Sequence, residues 1–244
     1  DDFLEGRRGS RLVLMPGLRG VGKTTLLWQL YRYLVEDRGL DPLRVLVVSA
    51  DELRVLGMDV RLVVDAYEDV LGSSLEGLGE EVFIFIDEAT YDPKWPVTVK
   101  AYIYDRSTSV FTLVTGSSAL ALQVTTDLVR RGVLERVYPL DYSEYLTIGF
   151  NAPLPLGFSE RLRKALFGSN DASEVYEGLK SLNRDLLGLQ ARLGAYDLRR
   201  GLRRYLKIGG FPFFLAEGET ALVKAYDVVE RVVFRDLPAI YGFN

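Results

Sequence analysis

The chain has 244 residues, 48% of them apolar, enough to build one large domain or a domain with a smaller companion. Its net charge of −4 gives no global attraction to nucleic acid or to an anionic membrane, although a local basic patch remains compatible with either. It contains neither cysteine nor histidine, which excludes a disulfide framework, thiolate chemistry, a histidine base and histidine metal ligands. Chemistry therefore falls to carboxylates, lysine, arginine, hydroxyls and a bound ion.

In chain order, the first element is the apolar run "LVLM", residues 12–15, read as a short buried strand. It leads into "GLRGVGKTT", after which Leu26, Leu27, Leu30, Tyr31 and Leu34 recur at helical spacing. Trp28, Tyr31 and Tyr33 on that helix are expected to pack under a sheet. Further strand-like runs stand at residues 45–48, 82–86, 110–114 and 137–140, with helices expected at 60–71 and 97–104. Near-continuous apolar strands alternating with helices indicate an α/β fold, a mostly parallel sheet covered on both faces. After about residue 146 the strand signal fades. "SERLRKALF", "ASEVYEGLKSL", "RDLLGLQARL" and "LRRGLRRYLKI" all carry helical spacing, so the C-terminal part is expected to be helical. The glycine- and proline-rich "GFNAPLPLGF" places the boundary between a domain at 1–148 and a second at 149–244.

The opening loop carries the sharpest chemistry. Gly17, Gly22, Lys23 and Thr24 satisfy G-x-x-x-x-G-K-[ST], in which backbone N–H groups cradle phosphates, the lysine reaches the β- and γ-phosphates and the threonine hydroxyl ligates Mg²⁺. Glycine lets the backbone approach a phosphate closely, and the following helix adds its N-terminal partial charge. "VFIFIDEA" delivers Asp87 and Glu88 to the C-terminal edge of a buried strand, the edge at which open α/β sheets bind ligands. Asp87 suits the Mg²⁺ shell, and Glu88 suits the polarisation of a water aimed at the γ-phosphate. "FTLVTGSSAL" ends another strand in Thr115, Gly116, Ser117 and Ser118, whose hydroxyls either position the attacking water or cap a helix.

Taken together, these motifs resemble AAA+/STAND-type P-loop ATPases. More narrowly, "GxRGVGKTTLL", "DE", "TGSS", "PL-[SD]-[FY]-x-E-[FY]-L" and "GGFP" follow one another as in prokaryotic and archaeal ATPase families. The resemblance implies a sheet of strand order 5-1-4-3-2, a helical lid over residues 149–244 and a further C-terminal domain, winged-helix or other, beyond the sequence. A start at Asp1 without methionine also suggests a piece of a longer protein. The resemblance implies that Gly17, Gly20, Val21, Gly22, Lys23, Thr24 and Thr25 bind ATP or ADP with Mg²⁺, and that Thr24 and Asp87 hold the metal. It also implies that Glu88 serves the water, that Ser117 lies near the sensor position, and that Phe211 and Pro212 of "GGFPFFL" border the adenine.

STAND proteins usually carry an arginine directly after the sensor strand, where this chain has Gly116, Ser117 and Ser118. The related families place an arginine before the "PL" segment. Here "DLVRRGVLERVYPL" offers Arg130, Arg131 and Arg136, and counting back from Pro139 favours Arg131 as the arginine that meets the transferring phosphoryl group. A second stripe, Arg199, Arg200, Arg203, Arg204 and Lys207, reads as a solvated helix face or as a phosphate contact.

The leading functional reading is a Mg²⁺-dependent ATPase that couples nucleotide state to conformational change. The alternative is a slow-turnover, nucleotide-controlled switch that recruits DNA or a protein partner, and a homo-oligomer is compatible with both. A small-molecule kinase usually lacks the Asp-Glu pair, and no N-K-x-D segment supports guanine recognition. No membrane-length apolar run or signal-peptide pattern is evident, which makes a cytoplasmic location the default. Scarce asparagine and glutamine beside absent cysteine resemble hyperthermophile composition.

Overall fold

A computed structural model of the chain describes residues 3, 10–117, 126–194, 196–236 and 238. Four of the five apolar runs become strands where the sequence places them: β1 (Leu12–Pro16), β2 (Val45–Ser49), β3 (Val82–Asp87) and β4 (Val110–Gly116). With β5 (Val133–Leu134) they form one sheet in the order β2-β3-β4-β1-β5, with every neighbouring pair parallel. Counted from its other edge this is 5-1-4-3-2.

The sheet is covered on both faces because its strands are apolar at nearly consecutive positions rather than at alternate ones. All six residues of β3 are buried. Val82, Ile84 and Ile86 join a core on one face with Val64, Trp95, Val99 and Ile103. Phe83 and Phe85 join the opposite core with Leu27 and Leu34. The crossovers supply these covering side chains: α1 (Lys23–Arg32) extended by a wider turn over Tyr33–Asp37, α2 (Ala50–Val55), α3 (Val60–Leu71) and α4 (Trp95–Val97) extended through Thr98–Tyr104. Asp59 caps α3 by accepting a hydrogen bond from the Leu62 N–H at 3.1 Å.

Two expectations require correction. The strand at 137–140 is displaced toward the N-terminus. Its regular pairing with β1 covers Val133 and Leu134, and Val137 keeps a single bridge to Gly17. β1 has run out at Pro16 by then, and Pro139 has no N–H with which to extend a ladder. Of the three aromatics after the loop, Tyr31 and Tyr33 pack against the core under the sheet. Trp28, by contrast, is 48% exposed and meets Tyr31 edge-on at 5.5 Å, because its position lies on the outer side of α1.

The chain divides into two compact units, Asp1–Tyr138 with Lys224–Asn244, and Pro139–Val223. The second holds α6 (Tyr142–Phe150), α7 (Phe158–Phe167), α8 (Ala172–Leu193), α9 (Leu198–Ile208) and α10 (Phe213–Glu217), while α5 (Thr126–Arg131) belongs to the first. The glycine- and proline-rich segment at 149–158 begins inside α6 and ends at the first residue of α7. A capping box between Asp141 and Glu144 starts α6. Two small cores hold this unit together, one on Leu146, Ala152 and Leu189 and one on Phe158, Ala165 and Leu182. The arginines of the α9 stripe and Lys207 are all exposed. At Gly210 a Cβ would stand 1.9 Å from the Leu140 carbonyl oxygen, so the glycine of "GGFP" is required by the backbone approach of Leu140, whose N–H donates to the Gly210 oxygen at 2.6 Å. Phe211 stacks on Phe213 at 5.3 Å, and Pro212 starts α10.

Candidate active site

β1 turns at Pro16 into the loop 17–22, which delivers the chain to the N-terminus of α1. Gly17 is held between two neighbours. Its N–H donates to the Gly116 oxygen at 3.2 Å, and a Cβ on it would lie 2.5 Å from the Val137 oxygen. Only glycine fits that gap. Val21 is buried and anchors the loop from within, Gly20 and Gly22 have φ of 84° and 98°, and Thr24 and Thr25 are exposed at the start of the helix. Lys23 is 4% exposed, and its Nζ donates to the loop carbonyls of Gly17 at 3.0 Å and Leu18 at 3.1 Å. The loop thus folds around its own cation, two of its carbonyls holding the ammonium.

The acidic strand end meets the loop directly. The Thr24 hydroxyl donates to Asp87 Oδ2 at 2.7 Å. On its other side Asp87 accepts a hydrogen bond through Oδ1 from Thr115 Oγ1, and the same Thr115 oxygen accepts the Glu88 N–H at 3.2 Å. Thr115 is fully buried at the end of β4. One hydroxyl therefore fixes both acidic residues from the neighbouring strand. Glu88 sits in the left-handed region at φ 49°, an uncommon conformation for a residue with a side chain and a recurrent one at functional sites.

The electrostatics of Glu88 follow from that placement. Burial raises its pKa above the usual carboxylate value; Lys23 and Arg19 pull it down, and Asp87 and Asp51 push it up, with burial prevailing. Asp51 stands near the end of β2 and accepts the Ser49 hydroxyl at 2.5 Å. Arg19, in the middle of the loop, donates to the Tyr91 hydroxyl at a long 3.4 Å. Burial works against its charge, but Tyr91 and the carboxylates of Glu88 and Asp51 outweigh that, and its pKa is raised.

Lys23, Thr24, Asp87 and Glu88 thus come together as the sequence suggests. Ser117 lies half-buried just past the end of β4, and Ser118 is outside the described residues. Thr115 takes the closer position, a role the sequence disguises because its hydroxyl stands in an apolar strand. The arginines separate. Arg131 lies at the opposite edge of the sheet: its backbone oxygen accepts from Ser10, before β1, and its guanidinium pairs with Asp105, before β4, at 3.2 Å. The five residues of β1 put that edge about 17 Å from the loop. Arg136 is placed beside the loop by the backbone, since its neighbours Glu135 and Val137 donate to the Leu14 and Pro16 oxygens, each at 2.9 Å. It is exposed, as is Arg130. Phe211 and Pro212 belong to the second unit.

A hydroxyl and one carboxylate 2.7 Å apart suit the hard-oxygen donor set of Mg²⁺, which commonly takes few protein ligands and completes its shell with phosphates and water. Among the described residues there is no cluster of three or more carboxylates able to hold a metal unaided.

A parallel sheet of this order, with a glycine loop entering a helix and an Asp-Glu strand end beside it, defines a P-loop nucleotide-binding fold. The chain belongs to the AAA domain family, whose model matches residues 9–146. It is 31% identical over 247 residues to an uncharacterized protein of Methanocaldococcus jannaschii, covering 100% of this chain and 47% of that protein. It is 26% identical over 137 residues to an uncharacterized protein of Haemophilus influenzae, covering 54% of this chain and 32% of that one. The chain therefore spans about half the length, or less, of these relatives. Among solved structures it is similar to two Thermotoga maritima RuvB variants. One has 14% identity and a TM-score of 0.36, covering 89% of this chain and 83% of that one. The other has 17% identity and a TM-score of 0.40, covering 89% and 84%. No helix among the described residues is long and apolar enough to cross a membrane.

Proposed function

We propose that the chain binds ATP with Mg²⁺ at this loop and hydrolyses it to ADP and phosphate, with water attacking the γ-phosphorus as the bond to the bridging oxygen breaks. The observation that carries the reading is the run of hydrogen bonds from Thr24 through Asp87 and Thr115 to Glu88, which joins the phosphate loop to a carboxylate suited to orient water. Loop N–H groups and Lys23 would bind the β- and γ-phosphates, the lysine exchanging its loop carbonyls for phosphate oxygens. Thr24 and Asp87 would hold Mg²⁺, which neutralises charge on the β- and γ-oxygens when bound. Glu88, kept basic by burial, would align the water and take its proton.

Roles for Ser117 near the γ-phosphate, for Thr25 at the loop and for residues 149–244 as a lid with Phe211 and Pro212 at the base rest on the family resemblance and belong to this proposal. So do coupling of nucleotide state to conformational change, the STAND-like character, a further domain and a cytoplasmic location. The choice among Arg130, Arg131 and Arg136 also belongs to this proposal. Within one chain Arg136 is the better placed residue, and Arg131 would serve a phosphoryl group only from a second copy. Mixing Arg131→Ala with Glu88→Gln protein tests this, since recovered activity in the mixture requires donation between copies.

Steady-state phosphate release, with and without Mg²⁺ and with and without DNA, tests the main reading. Mg²⁺-dependent turnover supports the ATPase. Tight binding with turnover too slow to detect, whatever is added, would favour the nucleotide-controlled switch instead.

A further inference from the structure

We propose that Arg19 distinguishes triphosphate from diphosphate, acting as a sensor of the terminal phosphate within the same chain that carries the loop. The inference rests on the nucleotide-site reading above and adds a residue that the phosphate-loop pattern leaves unspecified, since Arg19 occupies one of its four variable positions.

Three observations carry it. The first is location. Thr24 and Asp87 meet where the metal between the β- and γ-phosphates belongs, and Glu88 follows Asp87 on the side where water must approach the γ-phosphorus. Arg19 faces that side: its guanidinium reaches Tyr91, three residues after Glu88, and lies within the field of the Glu88 carboxylate.

The second is the weakness of its present partner. The donation to the Tyr91 hydroxyl spans 3.4 Å, at the limit of a useful hydrogen bond, whereas a guanidinium makes short forked contacts with anionic oxygens when they are offered. The terminal phosphate carries the most negative charge of a triphosphate and is absent from a diphosphate.

The third is connectivity. Tyr91 closes the turn Ala89–Tyr91, its N–H donating to the Glu88 oxygen at 3.0 Å, and the Arg54 guanidinium stands 5.8 Å over its ring. Transfer of Arg19 from Tyr91 to a phosphate would remove the loop's side-chain tie to the turn that follows Glu88, so the loop and the segment after β3 would register phosphate occupancy together. The bland alternative is a loop-to-turn tie with no part in recognition.

Calorimetric titration of the whole chain with Mg²⁺ and either ADP or a non-hydrolysable ATP analogue decides between them. Arg19→Ala is expected to weaken the analogue about tenfold or more while ADP stays within about twofold. Arg19→Lys should restore part of the difference, having the charge without the fork. Tyr91→Phe should bind the analogue at least as tightly as the parent, because it removes the hydroxyl that holds Arg19 at rest. Equal loss of both nucleotides in Arg19→Ala, no loss of either, or a loss in Tyr91→Phe matching that in Arg19→Ala would overturn the assignment. A parent chain that binds neither nucleotide overturns the site reading itself, whereas Lys23→Ala losing both with Arg19→Ala unaffected overturns only the sensor.

Discussion

The two edges of the sheet use the same residue types to opposite ends. At the N-terminal edge four of the five strands, β1, β2, β4 and β5, are entered through an arginine that is already satisfied. Arg11 donates to the Ser107 oxygen and covers the Tyr104 ring at 4.0 Å, and Arg44 pairs with Glu80 and Glu81, each at 3.3 Å. Arg106 binds Glu76 and also Glu68 at 2.9 Å, and Arg131 pairs with Asp105. At the C-terminal edge Lys23 leans on loop carbonyls, Arg19 on a phenol at 3.4 Å, and Glu88 sits half-buried in a left-handed turn. One edge has closed its electrostatics internally and supports the fold. The other gathers a lysine, an arginine and two carboxylates in and beside the phosphate loop, which is the contrast the proposed nucleotide site rests on.

The largest test of that contrast is Glu88→Gln, which keeps size and polarity but removes the base. Hydrolysis should fall about 10²–10⁴-fold, the usual worth of a positioned general base, while ATP remains bound. Turnover within a few-fold of the parent by phosphate release would remove Glu88 from the chemistry. Lys23→Ala comes next, since it deletes one charge-assisted contact. Affinity for ATP should drop by about 1.5–3 kcal/mol in calorimetry, without loss of the folded baseline. Thr115→Val probes what connects the two acidic residues. It leaves an Asp87 oxygen and the Glu88 N–H without their partner and should cost about 1–3 kcal/mol in denaturant unfolding, with a matching loss of Mg²⁺-dependent activity.

The smallest effect belongs to the closed edge. Hydrogen bonds from Arg106 lower the Glu76 pKa from its ordinary value to about 2. A depressed carboxylate contributes stability above its unfolded pKa and loses it as pH falls toward the folded value. Glu76→Gln should therefore lower the thermal midpoint slightly at neutral pH, and the gap should close as the pH approaches about 2. A gap that does not change with pH would mean that the pair is not what separates the two proteins.

Much of this was legible in residue order. Near-continuous apolar runs in β1, β3 and β4 announce strands covered on both faces, and the spacing from Gly17 to Thr24 announces a phosphate loop with its helix. The run at 137–140 was misleading because apolar content does not reveal where the partner strand stops. Thr115 and Tyr91 carry no local signature, since one is a hydroxyl in an apolar strand and the other an aromatic in a short turn.

The sequence by itself determined the class of fold, the loop and the acidic strand end, because each depends on chemistry that repeats or closes within a few residues. Only the tertiary structure decided which edge each arginine occupies, which hydroxyl fixes Asp87 and Glu88, and what Arg19 faces. In a parallel sheet those relations are set by the order of β3, β4, β1 and β5. Residues brought side by side by that order are far apart along the chain, as Gly17 is from Val137, and no spacing rule reaches across the distance.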